Sequence, residues 1–317
     1  MNDDFQQLPL FDEGPGRPPE ERSSAPPAPG ALRPDTPLSE ALKGYLVALG
    51  MSGASPHTVK AFRSDLNLLG GWAGEESPIG EFSTDSLHRF LHWMLTERSQ
   101  PCSPKTYARR VTTLKYFFGF LYEQGAIPRD PSTALIQRPA TSPLPTVLGD
   151  DEVERVLAVT QALRANAEKP DARPHLLVTL LLQTGIKKSE CMALAQQHVE
   201  RDGPEGPFIW VRYTNPRMRF KERKIPVEPA WLGVLDEYLA QRQPSGVVFD
   251  CTARNLEYVL RDVATAAGVE GGGMSFEGLR WTCAVRDFRS GMKPDQLRQK
   301  LGLSRIAWRE TSTRLEQ

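Results

Sequence analysis

The sequence predicts a mainly α-helical protein, a four-helix unit followed by a mostly helical domain with one small antiparallel sheet. Three observations carry this. Apolar residues recur three and four apart through most of residues 38–138, the spacing of one helix face. Ser-Pro pairs at 55–56 and 103–104 combine a cap with a proline at the first helical position. Only two short runs, Phe208–Val211 and Lys224–Val227, read as strands.

In chain order, Ser39 is expected to cap a first helix with Leu42, Tyr45, Leu46 and Leu49 on one face. Ser55-Pro56 opens a second through Val59, Phe62, Leu66 and Leu69. Thr84 or Asp85 opens a third through Leu87, Phe90, Leu91 and Met94. Ser103-Pro104 opens a fourth through Tyr107, Val111, Leu114, Phe117, Phe118 and Leu121, closing near Gly125. Residues 37–138 form this unit, 139–146 a Pro-rich and fairly stiff linker, and 147–317 the second domain. There, helices are expected over 150–163, 173–183, 229–241, 252–267, 276–290, 295–302 and from Ser304 onward.

The formal net charge of the 317 residues is zero, which excludes a protein that coats nucleic acid indiscriminately. The distribution is uneven: residues 1–36 carry seven acids and three bases, residues 280–317 nine bases and four acids. The first 36 residues mix Pro, Gly, Ser and acids without periodicity and are expected to be disordered. Their one apolar cluster is Gln7, Leu8, Pro9, Leu10 and Phe11, and its Q-L-x-L-F form resembles the peptide by which bacterial replication and repair proteins dock on the DNA sliding clamp. Cys102, Cys191, Cys251 and Cys283 lack metal-ligand spacing, so reduced thiols are expected, with no metal and no cofactor. No apolar run is long enough to span a bilayer and no signal-peptide pattern opens the chain, so a cytoplasmic protein without a membrane partner is expected.

Thr184-Gly185-Ile186-Lys187-Lys188-Ser189-Glu190, then Ser275 to Val285, then Leu301 to Leu315 together resemble the catalytic half of the tyrosine recombinase (phage integrase) family. That family's pattern is T-G-L-R-x-S-E, H-x-L-R-H-T, L-G-H, and a nucleophilic Tyr nine residues beyond that His. Thr58, Phe62, Asp65-Leu66, Trp72 and the run Thr106 to Pro131 are similar to its SAM-like core-binding domain. The resemblance covers 38–315 and implies a core-binding domain followed by an integrase-type catalytic domain. It also implies that the second and fourth helices face double-stranded DNA. Candidate contacts are then Lys60, Arg63, Lys105, Arg109 and Arg110, with Arg217, Arg219, Lys221 and Arg280 in the second domain.

Strand cleavage by a tyrosine needs a phenolic nucleophile, cationic donors on the non-bridging phosphate oxygens, and an acid for the leaving oxygen. The family's positions for these fall on Lys187 (Arg), Met218 (the hairpin Lys), Glu277 (His), Arg280 (kept), Trp281 (His), Leu303 (His) and Ser312 (Tyr). Lys187 keeps a charge but loses the bidentate fork of Arg, and Arg217 and Arg219 beside Met218 would point to the other face of a strand. The last tyrosine is Tyr258, ahead of Arg280, so no shift of register supplies a phenol. The expectation is a folded, non-cleaving DNA-binding relative of the recombinases, acting alone or beside an active recombinase. Two readings stay open: a recombinase or nuclease with a non-standard or trans-supplied nucleophile, and a protein-binding adaptor.

Overall fold

The computed structural model describes residues 31–136 and 145–315, and the chain divides into two compact units at Ser142/Pro143. In the first unit, α1 (Leu38–Met51), α2 (Pro56–Ala73), α3 (Thr84–Thr96) and α4 (Pro104–Glu123) are the four expected helices. Ser55 and Ser103 each accept from the amide three residues on, at 3.1 and 3.3 Å, and a proline follows each where its missing N–H is harmless. The α3 cap is Ser83, in a reciprocal box with Ser86. Ser39 does not cap α1. The helix starts one residue earlier, and the amides of Leu38 and Ser39 donate to the carbonyls of Ser77 and Glu75, both at 2.9 Å, so the loop after α2 satisfies what a side-chain cap would have.

The apolar stripes meet in one core of Leu38, Tyr45, Phe62, Leu66, Phe90, Phe117 and Phe118 among others. Tyr45 meets Phe117 edge-on at 5.4 Å between centroids. Residues 1–30, including the Gln7 to Phe11 cluster, lie outside the described residues. Residues 31–36 do not fit the tail expected for 1–36. Leu32 packs on the core and Gly80 N donates to Pro34 O at 2.8 Å. A side chain at 80 would come within 2.7 Å of Pro34.

The second unit contains α5 (Asp150–Arg164), α6 (Arg173–Thr184), α7 (Lys188–Met192), α8 (Pro229–Arg242), α9 (Ala253–Ala267), α10 (Phe276–Arg289), α11 (Pro294–Lys300) and α12 (Arg305–Leu315). Helix α6 is its centre: Leu176, Leu177, Val178, Leu180 and Leu181 are fully buried, and α5, α8, α9 and α10 pack around it. A helix apolar on all sides must be enclosed on all sides. The sheet is antiparallel in the order β1-β2-β3, with β1 (Val199–Glu200), β2 (Phe208–Val211) and β3 (Arg223–Pro226). Its first strand and the five-residue α7 are too short to leave a period in the sequence. Between β2 and β3 lies a 3₁₀ helix, Pro216–Lys221, so the strand alternation expected to turn Arg217 and Arg219 away from Met218 does not hold there.

Candidate functional site

The T-G-I-K-K-S-E segment ends α6 and starts α7. Gly185 takes the left-handed conformation (φ 57°), and a Cβ there would sit 3.0 Å from Leu301 and 3.2 Å from Cys283, so only glycine fits. The turn delivers Glu190, buried to 5% exposure, against Arg223 of β3. Arg223 donates to both carboxylate oxygens, at 3.0 and 2.9 Å, and from Nε to the Lys300 carbonyl at 2.7 Å. Tyr213 also donates to Glu190, as does the Lys187 amide at 2.8 Å. Burial alone would raise the Glu190 carboxyl, but the Arg223 fork and the other donors outweigh it and hold it at about 2. Gly302 lets Arg223 in: a Cβ at 302 would lie 2.7 Å from its guanidinium. Glu190, Tyr213 and Arg223 were not singled out from the sequence. The available signal was the acid Glu190 that closes the T-G-I-K-K-S-E segment.

Lys187 shares this electrostatic neighbourhood. Burial lowers its pKa, and Arg280, Lys221 and Arg223 add to that against the pull of Glu190. Arg280 is 3% exposed. Its guanidinium donates to the carbonyl of Gly185 and, at 2.6 Å, to that of Leu301, which ties the ends of α6 and α11 to α10. The side chain is turned into the fold, where two carbonyls left over at helix ends take its N–H groups.

Glu277 accepts from the Trp281 indole N–H at 2.8 Å. Trp281, Leu297 and Leu301 form an apolar cluster with Leu303 and Trp308 against it. Ser312, on α12, donates to the Arg309 carbonyl of its own helix at 3.3 Å. Met218 is half-buried in the 3₁₀ helix, with Arg217 and Arg219 exposed and Lys221 half-buried beside it.

In the first unit, Lys60, Arg63 and Lys105 are exposed. Arg109 and Arg110 are not free of the fold. Both pair with Asp65, at 2.7 and 3.4 Å, and Asp65 also accepts from Thr113 at 3.0 Å. Burial raises the Asp65 carboxyl, partly offset by Arg109, Thr113 and Arg110. The Arg109 side chain keeps 40% exposure but that of Arg110 only 11%, so Arg110 joins α4 to α2 rather than reaching outward.

Among the described residues no cluster of three or more His, Cys, Asp or Glu could hold a metal ion, and no helix is long and apolar enough to cross a membrane.

Residues 42–125 match the phage integrase N-terminal SAM-like domain, and residues 146–311 match the phage integrase family. The chain is 30% identical over 167 residues to the tyrosine recombinase XerC of Erythrobacter litoralis, covering 52% of each. It is 28% identical over 270 residues to the tyrosine recombinase XerD of Caulobacter vibrioides, covering 80% of this chain and 84% of that one. The match thus spans about half the length of the XerC relatives. Among solved structures, the XerH site-specific recombinase in a pre-cleavage complex with its difH substrate is similar at TM-score 0.69 and 15% identity. That match covers 89% of this chain and 94% of the other. A lambda integrase dimer bound to a COC' core site is similar at 0.68 and 15%, over 88% and 77%. With more than half of its length matched by the catalytic-domain profile and its N-terminal helices by the SAM-like one, the chain belongs to the phage integrase family, the tyrosine recombinases.

Proposed function

We propose that this protein binds duplex DNA as a member of its family that does not cleave it. The observation that carries the reading is the placement of Arg280. In a cleaving site that guanidinium would face a phosphate; here it is buried and donates to two backbone carbonyls. The other positions support the same reading: an indole and a leucine in an apolar cluster where the resemblance expects imidazoles, and a carboxylate where it expects a third. A serine whose hydroxyl bonds its own helix takes the place of the phenol. An aliphatic hydroxyl has a much higher pKa and a shorter reach than a phenol.

Duplex recognition is supported by Lys60, Arg63 and Lys105 exposed on α2 and α4 and by Arg217, Arg219 and Lys221 on the hairpin, and by the DNA complexes of XerH and lambda integrase. We assign these six residues, with Arg109, to phosphate and base-edge contact. The proposed setting is the cytoplasm, beside an active recombinase at a shared site, with residues 7–11 docking on a sliding clamp. The test is duplex affinity against salt. Several phosphate contacts give a fall on the order of a thousandfold between about 50 and 200 mM, and no binding at low salt, or a flat response, would refute the reading.

A further inference from the structure

From residue 208 to 224 the chain carries six bases and one acid, interleaved with aromatic rings. Strand alternation buries Ile209 and Val211 and leaves Phe208, Trp210 and Arg212 on the opposite face of β2. The Arg212 guanidinium lies 4.3 Å from the Trp210 ring centroid. Lys224, opposite Trp210 in register, places its Nζ 4.8 Å from the Phe208 ring and 5.2 Å from the Trp210 ring. Trp210 nevertheless keeps 37% exposure, and Phe220, beside Lys221, keeps 70%. Trp210, Arg212 and Tyr213 also wall a hollow of about 560 Å³ whose lining includes Ser189, Gln197 and His198. His198 Nδ1 accepts from the Ala195 amide at 3.3 Å, so its neutral ring carries the proton on Nε2 as a donor.

Half-exposed rings with cations over them suit a particular ligand. Every nucleobase has a π face that stacks on indole or guanidinium, and the cations follow the phosphates. A duplex offers only base edges in its grooves and keeps those faces stacked on one another. An unpaired base offers its face. We propose that the outer face of β2 and β3 is a second nucleic-acid site, a platform for single-stranded DNA. One base stacks on the Arg212 and Trp210 pair, and its edge meets Ser189, Gln197 and His198. Only the choice of DNA over RNA rests on the function proposed above; the platform itself does not.

The test is fluorescence anisotropy of the full-length protein at low salt with a labelled oligothymidylate of ~15 nucleotides, near the site sizes of single-strand grooves, and in parallel with a labelled duplex. The oligothymidylate is expected to bind. Trp210→Ala should weaken it about tenfold, within the range of one lost stack, and Trp210→Phe should restore most of the loss. Duplex affinity should change less than about twofold under this allowance for one stack. If Trp210→Ala melts early, Lys224→Glu on the exposed strand should give the same selective loss. Absence of oligothymidylate binding, equal loss for both ligands, no loss in either variant, or binding of oligouridylate alone would overturn the proposal. Failure with duplex alone would refute the duplex reading and leave this one standing.

Discussion

Arg280 donates from Nη2 to the carbonyl of Leu301 at 2.6 Å and from Nη1 to that of Gly185. One guanidinium therefore joins the ends of α6 and α11 to α10, with Gly185 in the left-handed turn that presents its carbonyl. A residue at a position that the resemblance assigns to a phosphate joins three helices of the domain.

Arg280→Met should then act on stability and not on binding. Two hydrogen bonds from a charged donor are lost and two buried carbonyls are left open, for a loss of roughly 3 kcal/mol. Thermal melting should report that loss, and duplex affinity per folded molecule should stay unchanged. Loss of affinity with melting intact would mean that Arg280 does reach DNA.

Acid should weaken the domain through Glu190. Its folded pKa of about 2 lies below the ordinary 4.5, so the ionised form stabilises the fold. That stability is fully present above about pH 4.5 and is lost as pH falls toward 2. The shift corresponds to on the order of 3 kcal/mol at neutral pH. Glu190→Gln should lower the melting temperature at neutral pH, because it leaves the Arg223 charge uncompensated, and should flatten the acid limb. A variant that keeps the wild-type slope between those pH values would contradict the assignment.

The basic residues should separate into two groups. Lys60→Ala, Arg63→Ala and Lys105→Ala together should weaken duplex binding and reduce the slope of log affinity against log salt by about 0.9 for each phosphate that is no longer neutralised. Arg110→Ala should destabilise the first unit by leaving Asp65 underpaired, with the salt slope unchanged. Parallel melting and salt titrations distinguish the two.

The helices were largely legible in the sequence. Ser55-Pro56 and Ser103-Pro104 place α2 and α4 to the residue, because cap and proline act within one turn. The cap of α1 was not legible, since its amides are satisfied by Ser77 and Glu75, over thirty residues away. The orientation of the side chains at the candidate site was not legible. Glu190 and Arg223 stand 33 residues apart, and Arg280 meets a carbonyl 95 residues before it. No local period encodes which way such a side chain turns.

Residues 7–11 carry a separate prediction. A peptide of residues 1–20 should bind a bacterial sliding clamp through Leu8, Leu10 and Phe11, with modest affinity because ordering the segment opposes binding. Leu10→Ala with Phe11→Ala should abolish the signal in a titration against the clamp. Indistinguishable signals from the two peptides would refute it.

The most direct test of the central claim is a labelled duplex incubated with the protein and resolved on a denaturing gel. No covalent adduct is expected from the wild type. None is expected from Ser312→Tyr either, since Glu277, Met218 and Leu303 still stand where donors are needed. Each missing donor costs roughly a hundredfold in rate, and restoring one group of an interdependent set recovers little. A band retained with the unmodified protein and released by protease would contradict the account.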